Sequence, residues 1–149
     1  QNASLKDDLI FPFTEKNQKL DYKEVSKNYN INYFHEEKNV QDFFKQRLLP
    51  HKLSQNGPCI AVGDINGDGL EDFIVGSAAS YSPKLFLQKN NSKFYSKELF
   101  TKKDDKQFEV ESMVLFDVDQ DNDLDLYLVS GGNQYDANSE WYQDRYYHV

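Results

Sequence analysis

The chain has 149 residues, enough for one domain with a buried core. It carries 17 basic against 25 acidic side chains, a net charge of −8, so it lacks the concentrated basic surface that a nucleic-acid partner requires. A single cysteine, Cys59, excludes an internal disulfide and a cysteine-based zinc site, and no apolar run approaches the roughly 18 residues of a membrane span.

Residues 1–58 read as a polar, mostly irregular lead-in arm. The stretch LIFPF at 9–13 is too short for the apolar part of a signal peptide and has no basic segment ahead of it, so any targeting segment is expected to be missing from this chain. The Asn-x-Ser sequons at Asn2 and Asn90 read as chance occurrences. Between Phe34 and Ser54, the residues Val40, Phe43, Phe44, Leu48 and Leu49 fall at mixed spacing. They fit a short helix over 39–48, ended before Pro50, and equally an extended arm laid over a neighbouring surface.

From Cys59 the pattern turns to strand. CIAVGD, DFIVGS, KLFLQK (84–89) and KFYSKEL (93–99) are four apolar or alternating runs, the last two joined by the turn NNS. The series restarts with SMVLFD (112–117), LDLYLVS (124–130) and RYYHV (145–149). Placing Asp64 over Asp117 aligns the flanking runs without a gap, an internal period of 53 residues. That period belongs to propellers and solenoids, and four short strands per unit make a propeller blade. The expected fold is therefore all-β, a partial β-propeller of about two blades of four-stranded antiparallel sheet, with repeats at 59–110 and 111–149. The second repeat is incomplete. Two incomplete blades would leave faces and edges uncovered, so the chain is expected to be a segment of a longer protein or to need a covering partner.

Nine of the 25 acidic residues sit in the two loops that join the first pair of strands in each repeat. Numbered from Asp64, oxygen-bearing side chains fall at positions 1, 3, 5 and 9 (Asp64, Asn66, Asp68 and Asp72), with Gly69 at position 6 and the Leu70 carbonyl at 7. The second loop repeats the pattern with Asp117, Asp119, Asp121 and Asp125, with Asn122 at position 6 and the Asp123 carbonyl at 7. Alternate residues converging on one point, with a bend that tolerates positive φ, describe a loop that wraps a hard cation. Calcium, with six to eight oxygen ligands, suits this better than magnesium with its strict octahedron. Two Ca2+ sites are expected, the second attracting the ion more strongly because it has four Asp against three. Position 12 is Val75 or Leu128 rather than Glu, and a strand follows, so neither loop is an EF-hand. Metal-free acidic turns are the alternative, made less attractive by finding two in register.

These residues carry a family resemblance. GPCIAVGDINGDGLEDFIVGSAASYSPKLFLQKNNSKF resembles an FG-GAP/VCBS repeat, the calcium-loop blade of integrin-α-like propellers, and MVLFDVDQDNDLDLYLVSGGNQYDANSEWYQDRYYHV resembles the next repeat. The lead-in from Tyr33 is similar to the segment preceding such repeats in large Bacteroidetes proteins that also carry an ASPIC/UnbV region. The resemblance implies a seven-bladed or similar propeller, exported or surface-exposed, with structural calcium held by Asp64, Asn66, Asp68, Asp72, Asp117, Asp119, Asp121 and Asp125. Asn122 departs from the usual glycine, and no ASPIC/UnbV portion is present.

Outside the loops, His35, His51 and His148 fall in no zinc motif and read as structural. Cys59 reads as a small buried hydrophobe. No nucleophile elbow, phosphate loop or dinucleotide motif is present. The aromatic cluster WYQDRYY (141–147) fits strand packing, or a binding face, since aromatics and Arg are enriched at interfaces. The expected function is a non-catalytic binding or scaffold module that meets a protein or glycan partner in an outer-membrane or cell-surface assembly. The alternative is part of a propeller enzyme acting on polysaccharide, with its catalytic groups elsewhere.

Overall fold

The computed structural model describes residues 22–148; the 9–13 stretch and the Asn2 sequon lie outside them. All seven apolar runs form strands. β1 (Ile60–Gly63), β2 (Asp72–Val75), β3 (Lys84–Gln88) and β4 (Phe94–Glu98) make one antiparallel meander in chain order. β5 (Glu109–Phe116), β6 (Asp125–Gly131) and β7 (Arg145–Tyr147) make a second. β5 starts earlier than the apolar pattern suggests and carries a bulge between Val110 and Ser112, which lets the charged residues Glu109 and Glu111 enter the sheet.

The period-2 alternation of each strand sends one set of side chains to each face. In the first sheet Ala61, Ile74 and Leu85 lie side by side across three strands. They meet Met113, Leu126 and Leu128 of the second sheet in one buried core, sealed by Phe100 and Phe108 from the connection between sheets. Gly76 makes this approach feasible: a Cβ there would lie 2.6 Å from the Cys59 sulfur and 3.2 Å from the Met113 methyl. Cys59 packs against the core, and its thiol donates to the Val110 carbonyl at 3.4 Å. Its place is structural, as its position at the start of a strand suggested.

On the opposite face of the first sheet, Phe73 and Phe86 stack across strands with centroids 4.5 Å apart. The arm covers part of this face. Tyr33 meets Phe86 edge-on, and its hydroxyl donates to the Gly76 carbonyl at 3.2 Å. The arm combines both expected forms, an irregular stretch over 31–41 and one helical turn, α1 (Asp42–Lys45). Fully buried Asp42 closes the arm on itself. Its carboxylate accepts from Leu53 N, Ser54 N and Ser54 Oγ at 2.6, 2.9 and 2.7 Å. Among the described residues no helix is long and apolar enough to cross a membrane.

Candidate metal centre

The acidic loops are the β1–β2 and β5–β6 hairpin connections, and both follow the same backbone scheme. The position-1 carboxylate turns inward and accepts from the position-6 amide: Asp64 Oδ2 from Gly69 N at 2.8 Å, Asp117 Oδ2 from Asn122 N at 3.1 Å. The position-5 carboxylate accepts from position 7: Asp68 from Leu70 N at 2.9 Å, Asp121 from Asp123 N at 3.1 Å. The buried position-9 carboxylate accepts from position 2: Asp72 from Ile65 N at 3.2 Å, Asp125 from Val118 N at 3.1 Å.

Each loop makes two left-handed bends, where the sequence suggested one. The expected bend at position 6 is present at Gly69 (φ 80°) and Asn122 (φ 73°). A second falls at position 4, at Gly67 (φ 70°) and Gln120 (φ 66°). Glycine adopts this conformation freely, whereas Gln120 meets the Cβ clash that disfavours it.

The loops differ in what surrounds position 9. Asp72 spends both oxygens on backbone donors, since Gln88 N of β3 donates to its Oδ1 at 2.7 Å. Asp125 receives no such amide. Its Oδ1 is sealed from water with no well-directed hydrogen bond, though His148 Nδ1 lies 3.0 Å away. The Tyr146 hydroxyl, and after it the Val118 amide and His148, hold the Asp125 carboxyl below its ordinary range against the opposing effect of desolvation.

In the second loop Asp117, Asp119 and Asp125 bring ligand oxygens within 4.8 Å of one another, a group that could hold a metal ion. This fits the donor set of a hard cation. Asp121 and Asp123 do not join that group. Their side chains face each other, and a shared hydrogen bond with Asp121 raises the Asp123 carboxyl above its usual value. In the first loop Asp64, Asn66 and Asp68 are tied to the amides of residues 68 to 70, and Leu70 is half-buried. Among the described residues, no three carboxylates converge there.

Two residues beside the second loop escape a linear reading. Tyr146 and His148 reach Asp125 because β7 pairs with β6, Leu126 opposite Tyr147. Antiparallel register is the signal that could have found them. A second acidic site, distant from the loops in sequence, also went unseen. Glu109 is 3% exposed; its Oε2 accepts from Gln134 Nε2 at 2.8 Å, while Oε1 is buried without a partner. Burial lifts its carboxyl up to about 7, with neighbouring Glu111 and Glu37 adding to the shift.

A family model described as an FG-GAP-like repeat matches residues 64–128, from the first loop to β6. No curated protein and no solved structure gives a match.

Proposed function

We propose, from the premise that residues 64–128 make this an FG-GAP repeat chain, that it serves as a calcium-stabilised, non-catalytic binding or scaffold module of an exported or cell-surface protein. The chain carries a β-propeller-like module, two antiparallel sheets packed face to face. The observation that carries the calcium reading is the convergence of Asp117, Asp119 and Asp125, with the Asp125 carboxylate fully buried. Carboxylates held this close repel one another, and a hard cation between them offsets that cost. Calcium would draw on Asp117, Asp119, Asp121, Asp125 and the Asp123 carbonyl in one loop, and on Asp64, Asn66, Asp68, Asp72 and the Leu70 carbonyl in the other. Carboxylates engaged on an ion are poor acids and bases, which is why the reading is non-catalytic. Extracellular calcium modules have dissociation constants of about 10⁻⁴–10⁻³ M, a range in which an exported protein would keep both sites filled.

The scaffold role is supported by how the repeats use their faces. A shift of 53 residues carries Ala61 and Ile74, buried between the sheets, onto Val114 and Tyr127 on the far side of the second sheet, where Val114 is 48% exposed. The same shift carries Ile60, 60% exposed, onto buried Met113. The far face of the second sheet thus has the register of the covered face of the first, and a further blade would stack on it in the same way.

Calorimetric titration of metal-stripped protein with calcium, and separately with magnesium, tests the reading. Two calcium ions per chain are expected, the second loop binding more tightly, with magnesium weaker at both. Absence of a heat signal and of any melting shift with either ion would leave the loops as acidic turns.

A further inference from the structure

Away from the loops, a cleft of about 500 Å³ opens where the end of α1 faces the connection between β6 and β7. Its size falls in the range of small-ligand sites. Lys45, Gln46 and Leu53 form one wall; Asn133, Tyr135 and Tyr142 form the other.

The aromatic wall is locked from behind. The Tyr142 hydroxyl donates to the Tyr135 carbonyl at 3.0 Å and accepts from the Tyr135 amide at 2.8 Å. The Tyr135 hydroxyl donates to the Gln107 carbonyl. Both phenol groups are therefore occupied, and what the rings add to the cleft is C–H and π surface. The Lys45 ammonium is likewise engaged. It donates to the carbonyls of Gln134 and Tyr135 at 3.0 and 2.8 Å and lies 3.5 Å from Asp136. With its charge answered and a chain charge of −8, nothing here selects an anion.

Polar capacity remains in the amides. Asn133 is 8% exposed, and its Nδ2 is sealed from solvent without a hydrogen-bond partner, so it meets a ligand only after the side chain turns. Rotation about χ2, a broad torsion for asparagine, exchanges the two ends of that amide. Gln46 adds an exposed amide at the rim. Held aromatic rings beside uncharged amides suit a ligand with apolar C–H faces and neutral oxygen acceptors. We infer that this cleft binds a neutral saccharide of about one or two rings, which rests on the binding-module reading above and names its ligand class and its place.

The molecule contains its own reporter. Trp141 is the only tryptophan, and its ring centroid lies 6.3 Å from that of Tyr135. The test follows Trp141 emission and saturation-transfer NMR while calcium-loaded protein is titrated with cellobiose, chitobiose, lactose, maltose and mannobiose. At least one disaccharide is expected to saturate the emission change. Ala137→Phe, which fills the cleft from an exposed position, should weaken it tenfold or more. Gln46→Ala should weaken it severalfold, with circular dichroism of both variants unchanged. Failure of all five sugars, or equal binding by both variants, overturns the inference. So does binding of a casein peptide digest in their place, which would make the occupant a peptide. A retained calcium-dependent melt alongside any of these failures leaves the calcium-stabilised module reading standing; loss of that calcium response while a sugar still saturates overturns its calcium part alone.

Discussion

The two buried position-9 aspartates are equivalent in sequence, yet the same conservative change should affect them differently. Asp125→Asn keeps size and shape and leaves one oxygen to accept from Val118 N. The other carboxylate oxygen lies 3.0 Å from His148 Nδ1, with the Tyr146 hydroxyl also on the carboxylate; these are side-chain groups that can reorient towards an amide, and the new amide relieves repulsion from Asp117 and Asp119. Without calcium the variant should therefore stay within about 1 kcal/mol of the parent, the worth of one weakened hydrogen bond. Asp72→Asn faces two backbone donors, Ile65 N and Gln88 N. An asparagine can accept from one only, setting an N–H against an N–H, at a cost of about 1–3 kcal/mol in chelator. Calcium adds a further loss to each variant, because each removes one proposed ligand. An ion at about ten times its dissociation constant stabilises the native state by about 1.4 kcal/mol per site, and at about 2–4 °C per kcal/mol this is a rise of about 3–6 °C for each loop. Asp125→Asn removes a ligand and should lose the second loop's share, about half of the rise. Thermal melts by circular dichroism of the parent and both variants, in chelator and in millimolar calcium, read all of this. Asp125→Asn melting like Asp72→Asn in chelator would refute the difference drawn between side-chain and backbone donors at the two sites. The full calcium rise surviving in Asp125→Asn would refute its role as a ligand.

Leu128→Ala, at a fully buried site between the sheets, should cost about 3–4 kcal/mol by chemical denaturation; a loss under about 1 kcal/mol would mean that the sheets do not pack as described. Glu109 holds a proton in the folded chain up to pH about 7, whereas an unfolded glutamate releases it near 4.5. The native state therefore binds more protons than the unfolded one between those values, and stability falls as pH rises through this window. Glu109→Gln should remove that slope and gain about 1–2 kcal/mol at pH 8, a full-shift value of about 3 kcal/mol discounted for residual solvent screening and the Gln134 bond; an unchanged pH profile would sink this. Asp42→Ala strands three donors and should speed hydrogen exchange at Leu53 and Ser54 while the calcium-dependent rise persists. Gln120→Gly removes a side chain from a left-handed position and should stabilise by about 0.5–1 kcal/mol, measured as a raised melt in chelator.

Strands and loops were legible because each rests on a local period. Apolar or alternating runs marked all seven strands, and the one-three-five-nine spacing marked both acidic hairpins, since a hairpin between paired strands brings such positions together whatever lies around it. What the linear pattern hid depends on pairing at a distance. Asp72 and Asp125 look alike until β3 brings Gln88 N to the first and β7 brings Tyr146 and His148 to the second. Glu109 opens β5 with no local signal of burial, and only its pairing with Gly131 and the Gln134 side chain over it show that it is buried. Position 4 went unread for a local reason. Gln120 carries no turn preference, and its left-handed backbone is imposed by the bonds that Asp117 makes to the amides at 120 and 122.

The loop chemistry and the core are coupled at one residue in each repeat. Asp72 opens β2 and Asp125 opens β6. The next core side chains on those strands are Ile74 in one and Leu126 and Leu128 in the other, all buried at the junction of the sheets. An ion that fixes the position-9 carboxylate therefore fixes the first residue of a central strand and, through its ladder bonds, the register of the apolar set that follows. Register matters because a slip of one residue would turn Leu126 and Leu128 away from the core and bring Tyr127 towards it. So much charge beside core strands is consistent on these terms. On the calcium reading proposed above, the acidic loop would destabilise its own hairpin while empty and pin the hairpin's register with a cation bound, so metal content and sheet packing should rise and fall together.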